Sequence, residues 1–357
     1  MKRILITGAG GPAGINFTKS LKLCPEKLFL AGAEANRYFA TLASTDKVCV
    51  VPKATESGYI DALNVIAEAE DIEFIHPQPD VEVRIISENR EKLNTSTFLP
   101  SKETIRICQD KLRSAERWRK RNVPVAKTIE LEDETDVERA FQELGHPLWI
   151  RARRGAGGRG STPVNNLETA RSWISYWRSR NKEWKFIAQE YLKGRNIAFH
   201  SLWKDGELIT SMARERLQYI FPHLSPSGIT GTPAVQRTIH DDNVNDIAAE
   251  AVLAIDSEFN GIACVDLMER DDGTPQATEI NAGRMFTTSL FFSYASKKLL
   301  NNHWANFPYL YVKLAYHESL PDVPKHNILP KDLYWIRHID APARLVKAGK
   351  VIGTVSK

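Results

Sequence analysis

Apolar and polar residues alternate in short blocks along the first hundred residues of the chain. Short runs rich in β-branched residues predict strands, whereas longer stretches with apolar residues three or four positions apart predict helices. The predicted strands span residues 3–7, 28–34, 48–52 and 72–77, and the predicted helices span residues 13–22, 59–69 and 81–93. Strands and helices that take turns in this way favour a parallel sheet covered by helices.

The pattern changes after residue 100. From Phe186 onward the strands are predicted to run antiparallel, because turn residues at Asp205-Gly206 and Asp272-Gly273 lie between apolar runs. An aromatic stretch at 304–316 predicts a packing helix, and a final hairpin is expected near Gly349. The other predicted elements are a basic helix at 101–121, strands at 125–131 and 148–152, and helices at 133–144 and 167–180.

Composition narrows the class of protein. The 357 residues are 42% hydrophobic and 26% charged, which is typical of globular proteins, and the length predicts two or three domains at about 100 to 200 residues each. No apolar run approaches the roughly 18 residues of a membrane helix. The chain starts Met-Lys-Arg-Ile-Leu-Ile-Thr-Gly, without a signal-peptide core. We therefore expect a cytoplasmic protein that does not enter a membrane.

Charge and cysteine usage exclude further classes. The 48 basic and 44 acidic residues leave a net charge of only +4, which is small for a nucleic-acid-binding protein. A basic helix around Arg117 and Trp118 keeps that class as an alternative, but the acidic neighbours Asp110 and Glu116 argue against it. The four cysteines lie far apart without a C-x-x-C pair, so neither a disulfide framework nor a zinc site is predicted.

A glycine-rich turn follows the first predicted strand. Gly8, Gly10 and Ala13 fit the G-x-G-x-x-G/A fingerprint of dinucleotide-binding domains, and Glu34 closes the second strand where an acidic ribose ligand would lie. Glycines at such a turn also serve tight packing alone. A nicotinamide-dependent oxidoreductase therefore remains a remote alternative.

A second glycine-rich loop lies at the centre of the chain. The apolar strand that ends at Arg151 leads into residues 152–161, where four glycines alternate with further arginines. Backbone amides and guanidinium groups in a flexible loop can surround phosphate oxygens. The alternative is a mobile basic surface loop.

A predicted hairpin further along the chain carries oxygen ligands. Asp266 and Glu279 can face one another across the turn, and Asn281 points the same way as Glu279 because strand side chains alternate with period two. Hard oxygen donors suit Mg²⁺, with Mn²⁺ as the alternative. Solvated strand carboxylates are the other interpretation, although the apolar neighbours Val265 and Ile280 make an unpaired carboxylate costly there.

In this order and spacing, these segments resemble the ATP-grasp superfamily, and within it the carbamoyl phosphate synthetase large-subunit-like proteins. The segment 76–80, His-Pro-Gln-Pro-Asp, and the first glycine loop look like the family's pre-ATP-grasp domain, whose loop generally holds no nucleotide. The resemblance implies an α/β protein with a Rossmann-like domain at 1–100, followed by two α+β lobes. These would be a small lid lobe with its entry helix at 101–190, a large metal-bearing lobe at 191–300, and a helix and hairpin extension at 301–357.

The resemblance also implies roles for individual residues. Lys111 and Arg151 would hold ATP phosphates, residues 155–161 would form the lid, and Leu192 would contact adenine through its backbone. Asn196 stands where a ribose-binding glutamate is common in the family. The implied nucleotide-binding residues are Lys111, Arg151, Gly155, Gly157, Gly158, Gly160, Ser161, Gln189, Glu190, Leu192 and Asn196, and the implied ligands of one or two metal ions are Asp266, Glu279 and Asn281.

The activity implied by the family is ligation. ATP would convert a carboxylate into an acyl phosphate, and an amine would attack it, with release of ADP and phosphate. Arg214 and Arg216 lie two residues apart and would share one face of a strand, unless they pair with Glu215 on a solvated face. Arg284 comes one residue later than in the family's usual E-x-N-P-R run. The candidate catalytic residues are Arg151, Arg214, Arg216 and Arg284.

Other interpretations remain open. One is carboxyphosphate chemistry on bicarbonate, and another is an ATP-binding protein without catalytic activity. The expected partners are a small-molecule carboxylate and an amine, with no nucleic acid and no membrane, and the aromatic segment after Asn301 is compatible with a homodimer.

Overall fold

The computed structural model describes residues 1–155 and 157–355. The N-terminal strands form a parallel sheet in the order β3-β2-β1-β4, as the alternating pattern predicts. Its central strand buries Ile4, Leu5 and Ile6 completely. The elements are β1 Arg3–Thr7, α1 Pro12–Lys22, β2 Phe29–Glu34, α2 Arg37–Ala40, β3 Lys47–Val50, α3 Tyr59–Ala69, β4 Phe74–His76 and α4 Asp80–Glu88.

The single basic helix predicted at 101–121 is wrong. Two helices occupy this stretch, α5 Lys102–Cys108 and α6 Lys111–Lys120. The Asp110 side chain accepts a hydrogen bond from the backbone N–H of Arg113 at 3.3 Å, which makes Asp110 the N-cap of the second helix. The interruption places Lys111 at the first residue of α6, where its backbone N–H donates to the carbonyl of Arg153 at 3.1 Å.

A small antiparallel sheet follows, with strand order β5-β8-β6-β7. Strands β6 and β7 flank the central glycine-rich loop, of which Ala156 lies outside the described residues. Two helices, α7 and α8, cover one face of the sheet around the buried residues Ile150, Ala170 and Phe186. The elements are β5 Thr128–Leu131, α7 Glu134–Leu144, β6 Leu148–Ala152, β7 Thr162–Val164, α8 Leu167–Arg180 and β8 Phe186–Glu190.

The largest sheet has eight antiparallel strands in the order β13-β12-β9-β10-β11-β14-β15-β16. The predicted hairpins after residue 204 and near Gly349 are confirmed, and the C-terminal strands continue the same sheet because β14 pairs with β11. The elements are β9 Asn196–Lys204, β10 Glu207–Tyr219, β11 Pro233–Ile239, α9 Asp242–Ile255, β12 Gly261–Glu269, β13 Pro275–Ala282, α10 Ser289–Ala295, α11 Phe307–Ala315, β14 Leu333–His338, β15 Ala341–Lys347 and β16 Lys350–Thr354.

The aromatic segment predicted as a packing helix forms α11. Phe307 and Tyr311 are fully buried there, in a cluster with Phe291 and Phe292 of α10. These rings pack inside the chain, whereas Trp304 at the start of the segment is exposed, and the homodimer stays a prediction. No helix in residues 1–155 or 157–355 combines the length and the apolar character needed to cross a membrane.

Candidate active site

A cavity of about 330 Å³ lies between the small sheet and the eight-stranded sheet. Most of the residues singled out from the sequence line it, although they come from six strands and three loops. Those on its wall are Arg151, Gly157, Gly158, Ser161, Gln189, Glu190, Leu192, Asn196, Arg214, Arg216, Asp266, Glu279, Asn281 and Arg284.

The other predicted residues are close to the wall but not part of it. Lys111 donates from Nζ to the carbonyl of Gly155 at 2.7 Å and so anchors the start of the loop. Gly155 borders a second cavity behind the loop. Gly160 packs against Trp184, and its carbonyl accepts a hydrogen bond from Trp173 Nε1 at 3.1 Å.

The oxygen ligands predicted for a metal ion lie on two neighbouring strands. Asp266 of β12 is directly opposite Glu279 of β13, and Cys264 is opposite Asn281, so the predicted register is confirmed. Each of the three oxygen-bearing side chains contacts an arginine. The contacts are Arg216 Nη2 to Asp266 Oδ1 at 2.6 Å, Arg284 Nη2 to Asn281 Oδ1 at 2.7 Å, and an ion pair of Arg151 with Glu279.

Electrostatics keep the Glu279 carboxylate ionised. Burial opposes ionisation, but Lys111, whose Nζ is 3.5 Å from Oε1, and Arg151 together hold the pKa of Glu279 well below its usual range. Burial lowers the pKa of Lys111, and the nearby Glu279 charge opposes that shift. A permanently ionised carboxylate inside a cavity is suited to a cation.

The donor set fits a hard divalent cation. Within residues 1–155 and 157–355, no three His, Cys, Asp or Glu side chains are grouped to hold a metal. The amide oxygen of Asn281 is therefore the candidate for a third protein ligand beside Asp266 and Glu279. Two carboxylates and an amide are oxygen ligands, which Mg²⁺ prefers, whereas zinc favours nitrogen and sulfur.

Arg214 and Arg216 both point into the cavity from β10. Glu215 points to the other face of the sheet, where it accepts a hydrogen bond from Arg237 Nε at 2.9 Å, so the alternative pairing of the two arginines with Glu215 is wrong. Burial, together with the positive charge of Arg216, lowers the pKa of Arg214 to about 9. Its Nε donates to His200 Nε2 at 2.8 Å.

The segment predicted to contact adenine ends β8 at the cavity edge. Gln189 accepts from Arg151 Nη1 at 3.3 Å and donates to Thr128 Oγ1 at 3.0 Å. The Glu190 carboxylate is held by Arg270 at 2.7 Å. Both side chains are therefore fixed within the protein, and the chain continues along the cavity wall through Tyr191 and Leu192.

The lid loop meets a second loop that leaves β10. A Cβ added to Gly158 would lie 2.6 Å from the carbonyl oxygen of Ile229, and a Cβ on Gly231 would lie 2.9 Å from Cα of Gly157. Only glycines permit this approach of two backbones. Together the two loops cover the cavity.

The N-terminal glycine loop has a different setting. Glu34 Oε2 accepts a hydrogen bond from the backbone N–H of Gly10 at 3.0 Å. A Cβ on Gly8 would lie 2.5 Å from Pro79, and one on Gly10 would lie 2.0 Å from the carbonyl oxygen of Phe39. Both glycines are thus packed tightly against other protein segments, and the Gly10 N–H already has an acceptor, which argues against the oxidoreductase alternative.

Sequence reasoning missed two residues that hold cavity arginines. Asp80, at the start of α4, forms an ion pair with Arg284, and its own carbonyl accepts from Gln109 Nε2 at 2.8 Å. His200 of β9 is fully buried and stacks on Phe286 with ring centroids 3.8 Å apart. The His-Pro-Gln-Pro-Asp segment was a signal for Asp80, whereas nothing in the local sequence distinguishes His200.

Comparisons with known proteins agree with this geometry. Residues 108–288 match the family model of the ATP-grasp domain, and residues 4–98 match that of the PylC-like N-terminal domain. The biotin carboxylase of Allochromatium vinosum is 26% identical over 257 residues, which are 64% of this chain and 55% of the relative. The large chain of the mitochondrial arginine-specific carbamoyl phosphate synthase of Neurospora crassa is 24% identical over 244 residues, 66% of this chain and 19% of the relative. The chain thus spans about half, or less, of the length of these relatives.

Solved structures show the same architecture. The biotin carboxylase domain of the Hydrogenobacter thermophilus 2-oxoglutarate carboxylase, determined as a dimer with MgADP, ADP and bicarbonate, superposes with a TM-score of 0.70 at 16% identity. The match covers 94% of this chain and 73% of that one. The fold class predicted from the sequence is therefore confirmed.

Proposed function

The chain belongs to the ATP-grasp family, and from this premise we propose that it is an ATP-dependent ligase. In this reaction ATP phosphorylates a carboxylate, an amine attacks the acyl phosphate, and ADP and phosphate are released. One observation carries the proposal: the Asp266 and Glu279 carboxylates, the Asn281 amide and four guanidinium groups line the same cavity.

The phosphate groups would lie between the lid and the paired strands. Lys111 and Arg151 already contact Glu279, so their charges point toward the place where phosphate oxygens would replace part of that contact. The backbone N–H groups of Gly157 and Gly158 would be the uncharged donors on the lid side. Phosphoryl transfer needs positioning and charge neutralisation more than a protein nucleophile.

Asp266, Glu279 and Asn281 would hold Mg²⁺, or Mn²⁺ in its place. The ion, when bound with ATP, would supply positive charge to the phosphates during transfer. Within the protein, Arg216 and Arg284 now satisfy Asp266 and Asn281. Release of these contacts by a cation would free Arg216, and the part of Arg284 that is not paired with Asp80, to bind the carboxylate that is activated.

The covered cavity also has a role, because an acyl phosphate reacts with water. The close approach of Gly158 to Ile229 and of Gly231 to Gly157 closes the roof of the cavity. Exclusion of water would let the amine compete for the intermediate.

Bicarbonate is the alternative carboxylate. The observation that favours it is the similarity to a biotin carboxylase over 257 residues, together with a structural relative determined with bicarbonate. The product of phosphorylation would then be carboxyphosphate.

ADP release tests the proposal. The purified chain would be mixed with ATP, Mg²⁺ and hydroxylamine, which traps acyl phosphates as hydroxamates, over a panel of carboxylates that includes bicarbonate. We expect ADP release that depends on one class of carboxylate and equals the hydroxamate formed. ADP release with bicarbonate alone, and without a hydroxamate, would favour carboxyphosphate chemistry. Binding of Mg-ATP without ADP release under any condition would contradict enzymatic function.

A further inference from the structure

Four arginines line the cavity, and three of them contact a carboxylate. Arg151 pairs with Glu279, Arg216 with Asp266, and Arg284 with Asp80. Arg214 differs: among the carboxylates whose side chains the structure describes, none is within ion-pair distance of it. Among the described arginines of the cavity wall, Arg214 is thus the one without a carboxylate partner.

Arg214 is buried at the cavity wall, beside His200 and a pair of phenylalanine rings. The residue is only 2% exposed, and its Nη1 has no hydrogen-bond partner among the described residues. Its Nε donates to Nε2 of His200, so the ring proton of His200 is on Nδ1, which is also buried without a partner. Phe286 stacks on the ring, and Phe292 contacts its edge with centroids 5.5 Å apart.

This arrangement is costly for the protein alone. An isolated buried charge and unpaired buried N–H groups each oppose folding, and Arg216 adds repulsion because it lies two residues away on the same strand face. Burial and the charges of Arg214 and Arg216 lower the pKa of His200, so the imidazole stays neutral and cannot compensate. A bound anion would supply the missing counterion and a hydrogen-bond acceptor, and it would offset the repulsion between Arg214 and Arg216.

We propose that Arg214 and His200 form a subsite for a second carboxylate group of the substrates, separate from the carboxylate that is activated. The inference rests on the proposed function, in which Arg216 and Arg284 bind the activated group. The substrate class is then a dicarboxylate, if both groups belong to the electrophile, or an amino acid, if the second group belongs to the amine.

The strand geometry sets a length for the dicarboxylate. Arg214 and Arg216 are two residues apart on β10, which corresponds to roughly 7 Å along a strand. Carboxylates separated by three or four methylene groups span a similar distance. Glutarate and adipate are therefore the probes for the electrophile, with butyrate, valerate and hexanoate as matched monocarboxylates.

The first arm measures hydroxamate formation by the full chain with ATP, Mg²⁺ and hydroxylamine. We expect the dicarboxylates to reach half-maximal rate at concentrations at least about tenfold lower than the monocarboxylates, since hydrogen bonds to charged groups give factors of this size. Arg214→Gln should bring this ratio close to one, and Arg214→Lys, which keeps the charge, should retain part of it. Arg237→Gln on the neighbouring strand is the matched control and should keep the wild-type ratio.

The second arm exchanges the nucleophile. If monocarboxylates and dicarboxylates are activated equally, coupling to 5-aminovalerate is compared with coupling to pentylamine. A preference for the amino acid that Arg214→Gln removes would assign the subsite to the amine. The subsite would be overturned if the wild-type chain activates dicarboxylates and monocarboxylates equally and also couples 5-aminovalerate and pentylamine equally. This outcome does not depend on whether the variants fold.

A binding measurement separates this inference from the proposed function. Calorimetry with glutarate or 5-aminovalerate, in the presence of Mg²⁺ and a non-hydrolysable ATP analogue, requires no turnover. Suppose that either probe binds, that Arg214→Gln weakens this binding, and that no condition gives ADP release. This result would support the subsite and contradict the ligase. Hydroxamate formation from monocarboxylates, without any Arg214-dependent preference, would support the ligase and contradict the subsite.

Discussion

Two glycine-rich loops of this chain follow a strand in the same way, yet of the two only the second lines the cavity of the candidate active site. The first, at residues 8–14, follows β1, and the second, at residues 153–161, follows β6. Both contain glycines with positive φ, for example 58° at Gly8 and 73° at Gly158. Their backbones therefore have similar freedom to present N–H groups to a ligand.

The difference lies in what surrounds each loop. In the first, Glu34 accepts the N–H of Gly10, so a carboxylate occupies the position in which a phosphate would bind and repels other anions. In the second, Lys111 and Arg151 supply positive charge, and Glu279 is positioned for a cation. A glycine motif gives access to the backbone, and the charges packed against it decide whether an anion binds.

The largest expected effect is a loss of ATP turnover when the candidate metal ligands facing the second loop are replaced. Glu279→Gln and Asn281→Ala should each lower ATP turnover at least about 100-fold, because each removes a ligand from the charge that neutralises the phosphates. ADP release measures the effect, and circular dichroism checks the fold. Asp272→Ala, at the exposed turn of the same hairpin, is the control and should retain turnover. Wild-type turnover in both site variants would remove the basis for the metal assignment.

A substitution in the first loop should affect stability instead. Gly10→Ala places a Cβ 2.0 Å from the carbonyl oxygen of Phe39, and overpacking of this kind costs about 1–3 kcal/mol of unfolding free energy. Gly11→Ala is the matched control in the same loop, since its nearest contact is 3.3 Å away. Denaturant unfolding gives both values, and the KM for ATP should not change in either variant. A stable Gly10→Ala protein with weakened ATP binding would mean that the first loop also holds nucleotide.

A glycine substitution in the second loop should instead affect the reaction. Gly158→Ala places a Cβ 2.6 Å from the carbonyl oxygen of Ile229, so the lid can no longer approach its partner loop. We expect the yield of trapped hydroxamate per ADP to fall several-fold, because water reaches the acyl phosphate. Gly228→Ala has a similar positive φ of 70° but open space around it, and it should keep the wild-type yield. An unchanged yield in Gly158→Ala would show that this contact does not exclude water.

The contrast between the loops also shows which features of the site can be predicted from the sequence. Period-two alternation was enough to place Asp266, Glu279 and Asn281 on one side of a hairpin, and to place Arg214 and Arg216 on one face of a strand, because these relations are local. The interruption of the basic helix was missed, although Asp110 is a good N-cap residue, because the apolar spacing continues across it.

Contacts between distant segments could not be predicted in this way. Asp80 meets Arg284 across 204 residues, and His200 meets Arg214 only through the pairing of β9 with β10. Glu34 appeared from its position to be a ribose ligand, and only the packed structure shows that it accepts the N–H of Gly10. Local patterns thus identified the chemistry of the site, and the packing of sheets decided which charges remain free for a ligand.

The smallest expected effect uses pH to compare the carboxylates near the two loops. Burial, together with the charge of Glu34, raises the pKa of Glu82 to about 7, whereas Lys111 and Arg151 hold the pKa of Glu279 well below its usual range. Native Glu82 keeps its proton where the unfolded chain has lost it, so stability should fall as pH rises from about 4.5 to about 7. Glu279 contributes stability that is lost only at lower pH.

Glu82→Gln isolates this effect, because the amide is neutral at every pH. Between pH 5 and 7, the difference in unfolding free energy between the wild-type chain and Glu82→Gln should change by about 1 kcal/mol per pH unit, in the direction that favours the variant at higher pH. Urea unfolding at three pH values measures it. Glu68→Gln, on the exposed side of α3, should follow the wild-type slope. A constant difference would mean that Glu82 is ionised in the folded chain, and the electrostatic contrast between Glu82 near the first loop and Glu279 near the second would be contradicted.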